Sequence, residues 1–238
     1  MNQIEQYYNE LLSIRENAIC TFEDSTKNYY QDCCYLTKIL KEYENELESF
    51  TSFKFNIFKY VHVNENQISD IIVDILQPNG EHGQGTVFLN NFLKIIDIKQ
   101  IRNIPTIERE VLTKNTFNKY RKMDILIDYI NFGIMIENKP RYNDLDNQLK
   151  NYAEDLKNRY GQDNFVMVYL SNDGHYPSSN SIPEDLLNEM KTKNQFLHIT
   201  YNEKFKSWIE LCINDCKSEK YKWFLKDFLH YILNNYLW

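Results

Sequence analysis

Glycine and proline are scarce, six and five among 238 residues, and no stretch is repetitive or of low complexity. A chain of this kind is expected to be ordered everywhere except its termini. Apolar residues make up 42%, enough for a sizeable core, and the length suits one domain, or one domain with a helical appendage. No apolar run approaches the roughly 18 residues that span a bilayer, which argues against a membrane protein. The opening MNQIEQYYNELL has neither the basic nor the apolar part of a secretory leader, so a soluble, cytoplasmic protein is expected. The five cysteines, Cys20, Cys33, Cys34, Cys212 and Cys216, show no CxxC spacing. Cys212 and Cys216 lie one helical turn apart and would need two more ligands to hold a metal. Buried reduced thiols are the expectation. Positive charge is also short overall. The net charge of −7 argues against a protein that coats nucleic acid generally. It leaves room for a local basic groove, because exposed charges act over a Debye length of about 8–10 Å.

The charge is uneven. Residues 1–50 are mostly acidic, with Glu42, Glu44, Glu46 and Glu48 clustered, whereas 114–122 carries Lys114, Lys119, Arg121 and Lys122. The N-terminal 50 residues show two helical stripes, Ile4 to Ile14 and Tyr35 to Tyr43, with a polar section at 22–31 between them. They predict an N-terminal α-hairpin forming a helical arm over 1–50, ahead of a main domain over 51–238. Within that domain, Asn64 with Gln67 three residues on predicts a capped helix to about Leu76. Pro78 to Gly85 predicts a turn, whose His82 reads as structural, and Thr86–Ile96 a second helix. Strands are expected at Thr106–Thr113, Met123–Ile130, Ile134–Lys139, Phe165–Leu170 and Phe196–Thr200. Helices are expected at 144–158, 203–216 and 219–235, with 172–183 as a loop. The order gives an α/β sandwich with a mixed central sheet.

The chemistry gathers between Met123 and Tyr152. Glu137 and Lys139 are two apart on one strand and project together. Asp124 lies on the neighbouring strand across a short hairpin. Two such carboxylates repel unless a cation lies between them. Oxygen ligands with few histidines favour Mg²⁺, with Mn²⁺ as a substitute. The backbone carbonyl of Asn138 is a further candidate ligand. Such a metal activates water and neutralises phosphoryl charge, while Lys139 orients the water or holds phosphate oxygens. The basic loop before Asp124, with Lys119, Arg121 and Lys122, is placed to hold a phosphate backbone. An ordinary ion pair at a strand end also fits the triad alone. The apolar strands around the charges strengthen the reading as a metal-dependent phosphodiesterase, and the residues alone leave it and a strand-end ion pair both open.

These residues resemble the PD-(D/E)XK nuclease superfamily, in its bacterial branch with a Glu-Asn-Lys core. Glu65, Ser69, Leu76, Pro78, His82, Gly83, Gly85, Phe88 and Leu89 stand where that branch has its amino-terminal signature. IENKPRYNDLDNQLKNY, Ile136–Tyr152, resembles the catalytic strand and following helix, with Gln148, Leu149 and Tyr152 in a Gln-Leu-x-x-Tyr pattern. FLHITYNEKFKSWI resembles the last strand and helix. The likeness covers roughly residues 53–235. It departs at Lys122, where Arg is commoner, and at Pro140, where an aliphatic residue is more usual. It implies a restriction-endonuclease-like αβββαβ core, Asp124 and Glu137 as metal ligands and Lys139 as catalytic lysine. Glu65 becomes an additional metal or water ligand, and Gln148 an active-site or substrate-backbone contact. The implied protein is a Mg²⁺-dependent DNA endonuclease leaving 5′-phosphates, plausible as a homodimer, with roles such as phage defence compatible. The alternative is a catalytically silent module of the same fold that binds nucleic acid or a protein partner.

Overall fold

The computed structural model describes residues 3–52, 55–61, 63–99, 101–114, 121–141, 144–172 and 174–236. The chain divides into two compact units, Met1–Phe55 and Asn56–Trp238.

The first unit is a single helix, α1 (Gln3–Thr51), in place of the expected α-hairpin. The reason is chemical. Residues 1–50 contain no glycine or proline, so nothing in the polar section 22–31 can break the helix. Thr21, Thr26 and Thr37 direct their hydroxyls back to the carbonyls four residues earlier, which satisfies these polar groups without ending the helix.

The second unit is built on α2 (Glu65–Leu76), α3 (Val87–Ile95), β1 (Thr106–Leu112), β2 (Lys122–Asp128), β3 (Gly133–Lys139), α4 (Gln148–Tyr160), β4 (Phe165–Ser171), α5 (Glu184–Thr192), β5 (Phe196–Thr200), α6 (Lys206–Asp215) and α7 (Glu219–Asn235). A one-turn π-helix, Tyr201–Phe205, leads into α6. The five strands form one sheet in chain order. β1, β2 and β3 are antiparallel neighbours; β4 and β5 join in parallel. The mixed sheet flanked by helices is the expected αβββαβ arrangement.

Each face of the sheet carries its own core. Ile125, Ile127, Ile134, Ile136, Val166 and Val168 pack with α2, α3, α6 and α7. Leu126, Met135, Met167 and Tyr169 pack with α4 and α5. The expected loop ends at Pro183 and α5, which the sequence reading does not assign, follows it; Pro183 before Glu184 and Asp185, with Leu187 and Met190 inward, marks its start. α4 begins at Gln148, four residues later than expected. Asn147 takes a left-handed φ of 56°, and Asp144 lies in the preceding turn. There Asp144 accepts hydrogen bonds from the Tyr169 hydroxyl and the Ser178 backbone.

Two local features fix the entry to the site. Asn64 and Gln67 form the reciprocal capping box read from the sequence, with bonds of 3.1 and 2.7 Å, and set where α2 starts. The turn after α2 is locked by His82, which is buried. Its Nε2 donates to the Gln77 carbonyl at 2.8 Å and its Nδ1 accepts from the Gln84 backbone at 2.9 Å. Gly83 and Gly85 follow it at φ of 68° and 60°, a left-handed conformation that glycine adopts without steric cost. His82 is therefore a structural residue, as expected.

Candidate active site

The site opens where β2 and β3 part company. Their pairing runs from Asp128↔Gly133 to Ile125↔Ile136. At the next step the Asn138 backbone N–H donates to the Asp124 carboxylate at 3.0 Å. In an antiparallel pair the N–H and C=O of one residue point to the same neighbour. The Asn138 carbonyl therefore faces the gap that Asp124 lines.

Opposite Asp124 the edge strand is distorted. Glu110 has a φ of 52°, and the β1–β2 ladder skips from Arg109↔Ile125 to Val111↔Met123. A left-handed non-glycine residue costs on the order of 1–2 kcal/mol. The regular alternation of a strand breaks in β2 here too: Met123 shares a core with Leu126, whereas Ile125 and Ile127 face the other way. This kink turns Asp124 out of the regular pleat. Arg109 holds it from behind. Its guanidinium bonds the Asp124 carbonyl at 3.0 Å, the Asp70 carboxylate at 2.8 Å and the Asn66 carbonyl at 3.2 Å. One side chain thus ties α2 to β2 beside the site.

Glu137 is fully buried. One of its oxygens, Oε1, receives the Lys139 ammonium at 2.8 Å and the Gln148 amide at 2.6 Å. The other, Oε2, is buried with no hydrogen-bond partner among the described residues. Burial, and then the charge of Asp124, push the Glu137 carboxyl up to about 8, against the pull of Lys139. Burial raises Asp124 as well, opposed by its bond from the Asn138 backbone. Glu65, at the first turn of α2, stands 3.7 Å from Lys139 and is raised chiefly by burial. Burial alone would discharge Lys139. Glu137, Glu65 and Asp124 together outweigh it and hold the ammonium above its ordinary range.

The expected residues Asp124, Glu137, Asn138, Lys139, Glu65 and Gln148 thus come together. Gln148 acts on Glu137, and its own carbonyl accepts from the Leu145 backbone at 3.1 Å, so it orients a carboxylate. Of the basic loop, Lys119 lies outside the described residues. Arg121 donates to the Asp146 carbonyl at 2.8 Å, and Lys122 pairs with Glu110 at 2.7 Å. The base of that loop is pinned by Thr113, whose hydroxyl accepts from the Arg121 backbone at 3.0 Å.

Sequence reasoning missed the support behind Asn138. Its amide donates to Ser69 Oγ at 2.9 Å, Ser69 in turn donates to the Glu65 carbonyl at 3.1 Å, and the Tyr201 hydroxyl bonds the Asn138 amide oxygen. All three side chains are buried. Ser69 in the α2 signature carried part of the signal. Tyr201 and Arg109 carried none, because only the fold brings them close. Arg141 was also missed. It lines a cleft of about 200 Å³ beside the site with Val63, Asn64, Glu65, Pro140 and Tyr236.

Among the described residues no three His, Cys, Asp or Glu side chains form a ready-made metal cage. What is present fits a hard cation nonetheless. A buried carboxylate oxygen lacks a partner, a second carboxylate stands near enough to raise its pKa, and a main-chain carbonyl faces the same gap. Mg²⁺ is commonly held by one or two carboxylates completed with water. Cys212 and Cys216 are buried free thiols, whereas Cys20, Cys33 and Cys34 are exposed.

Carboxylates and a lysine stand at the diverging ends of β2 and β3 on an αβββαβ sheet, with α2 and α4 supporting them. The model of the PD-(D/E)XK nuclease superfamily matches residues 55–230, most of the chain. The protein belongs to that superfamily, whose nucleases generally use divalent metals such as Mg²⁺ and act on nucleic acid. No curated protein and no solved structure matches it. No helix among the described residues is long and apolar enough to cross a membrane.

Proposed function

We propose that this protein is a Mg²⁺-dependent DNA endonuclease that leaves 5′-phosphate ends. The observation that carries the reading is Glu137: a fully buried carboxylate with one oxygen tethered by Lys139 and Gln148 and the other left open. Burying an acid this way is costly unless something completes it. Asp124, Glu137 and the Asn138 carbonyl would hold the cation. A divalent cation there supplies a water of lowered pKa and neutralises charge on the phosphate.

The chain's own residues do the rest. Asn138 fixes Asp124 through its backbone N–H, and Ser69 and Tyr201 keep Asn138 from turning. Lys139 stays charged, so it serves as an ammonium donor to the attacking water and the phosphate oxygens rather than as a base. Glu65 holds Lys139 from the side of α2. Arg141 and Lys119 hold the flanking phosphates, and Arg121 and Lys122 join them only on leaving the Asp146 carbonyl and Glu110.

The test is incubation with supercoiled plasmid, linear duplex, single-stranded DNA and RNA under Mg²⁺, Mn²⁺ or chelator, with end-group analysis. Metal-dependent nicking of plasmid with ligatable 5′-phosphates supports the reading. Binding without cleavage of any substrate would instead support the silent module.

Two further results are expected. Gln148→Ala frees Glu137 Oε1 from one of its two donors. Activity should fall about 10–100-fold through weaker Mg²⁺ affinity, the usual cost of losing a residue that orients a metal ligand. Raising Mg²⁺ should recover much of it. Cation affinity should also depend on pH. Glu137 holds a proton below about 8, which a cation must displace. Mn²⁺ titration calorimetry should show affinity rising from pH 6 to 8 and levelling above, with proton release seen as a buffer-dependent heat. An affinity flat across that range would remove Glu137 from the ligand set.

A further inference from the structure

α1 is a helix of 49 residues, roughly 74 Å long at 1.5 Å per residue. It holds ten acidic and four basic residues within positions 1–50, a net of −6 of the chain's −7. A single helix has no second layer on which to bury an apolar stripe, yet this one carries such a stripe, and it is exposed. Phe22 and Tyr29 are each 73% exposed, and Leu36, Leu40 and Tyr43 are exposed too.

The stripe repeats every seven residues. One line runs through Leu12, Ile19, Thr26, Cys33 and Leu40; the other, three residues on, through Arg15, Phe22, Tyr29, Leu36 and Tyr43. Eight of these ten are apolar, and the sequence carries the spacing on to Tyr8, Leu47 and Phe50. A sustained seven-residue repeat drifts about 20° per heptad on a straight helix, so it is followed only by winding around another helix. Here the two lines are the a and d positions of a coiled coil.

We propose that α1 pairs with α1 of a second copy as a parallel, in-register, two-stranded coiled coil. Charge selects the partner. The acidic surface repels nucleic acid, which rules against the arm as a DNA-binding helix. Against its own copy it meets no conflict. The flanking pairs across a parallel register are Leu11 with Glu16, Ala18 with Glu23, Ser25 with Tyr30, Asp32 with Thr37, and Ile39 with Glu44. None sets like charges against each other. Arg15, the one cation in the seam, lies beside Glu16 of the other strand, and at a two-stranded seam its stem can bury while its head reaches water. Eight apolar seam side chains from each helix bury on the order of 1,500 Å² or more, the size of a stable interface.

The register makes Cys33 a reporter. In a parallel, in-register pair it faces Cys33 of the other copy across the seam. In an antiparallel pair of full overlap it faces Phe22 instead. The experiment uses the full chain and needs no nuclease activity. Sedimentation equilibrium should give twice the 28.8 kDa chain mass. The double change Leu36→Glu and Leu40→Glu should return it to monomer, while Tyr35→Glu and Glu42→Lys, off the seam, should leave the dimer intact. With Cys20 and Cys34 changed to serine, mild oxidation should give a covalent dimer, reversed by reductant. A wild-type monomer would overturn the proposal, as would a dimer indifferent to the two seam charges. A dimer lost on the seam change but with no Cys33 cross-link would overturn the parallel register.

Discussion

Glu137→Gln is expected to abolish metal-dependent cleavage and to make the protein more stable. The first effect follows from the ligand role. Losing a charged ligand forfeits several kcal/mol of transition-state charge stabilisation, and each 1.36 kcal/mol is tenfold in rate, so a loss of at least about 10³-fold is expected. The second follows from burial. In the folded chain this carboxyl is raised to about 8, from the 4.5 of an unperturbed glutamate. Between those values the native state keeps a proton that the unfolded chain releases. The unfolded state binds fewer protons, so stability falls as pH rises through that window. The cost is absent below pH 4.5 and complete above about 8. Glutamine removes it and keeps an amide where the carboxyl accepted bonds from Lys139 and Gln148. Its amide NH₂ can turn toward Asp124, leaving the carbonyl for those donors. The gain should reach a few kcal/mol at pH 8, a rise in Tm of several degrees for a unit of this size, and vanish near pH 4.5. Calorimetric melts of both proteins across pH 5–8.5 check the sign. A variant less stable than the parent at pH 8 would mean that Glu137 is a satisfied ion pair and nothing more.

Lys139→Met should separate binding from chemistry. The ammonium is 2.8 Å from Glu137 and 3.7 Å from Glu65, and it stays charged because those carboxylates outweigh its burial. Methionine matches its stem and removes only the charge. Cleavage should drop about 10²–10³-fold, the usual loss of one donor aimed at developing charge. Mn²⁺ binding should persist but move to higher pH, because the Glu137 carboxyl loses the ammonium that pulled its pKa down. Parallel loss of binding and cleavage would place Lys139 in the scaffold of the site instead.

The sequence made some parts of this molecule easy to read. Asn64 and Gln67 marked the start of α2 because a capping box is a local contract between residues three apart. The continuous apolar run of β4 and the Glu137–Lys139 spacing on β3 were equally local. The αβββαβ order followed from those elements and from the likeness to the nuclease superfamily. α1 was misread because its polar section at 22–31 resembled a turn; composition said otherwise, since no residue there can end a helix. α5 was missed because its nine residues follow a long irregular stretch. The bend at Met123–Asp124 was invisible for another reason. It depends on Glu110 on a neighbouring strand and on Arg109 reaching back to α2, contacts that no local pattern encodes. Tyr201 is 63 residues from the Asn138 it holds. Residues that bear the chemistry announced themselves by type and spacing; those that position them became visible only once the chain was folded.

Placement also changes what the basic loop can be asked to do. Lys122 and Arg121 are engaged by Glu110 and by the Asp146 carbonyl. Arg141 instead lies on the cleft beside Glu65, one residue beyond the proline that ends β3.

The central claim is that Asp124, Glu137 and Lys139 form a working metal-dependent phosphodiesterase site. The most direct measurement is the rate of nicking of supercoiled plasmid by the parent and by Glu137→Gln, each with Mg²⁺ and with chelator. The account predicts nicking by the parent in Mg²⁺ alone, and none by the variant in either condition. Equal nicking by both proteins in Mg²⁺, or parent activity that survives the chelator, would contradict it.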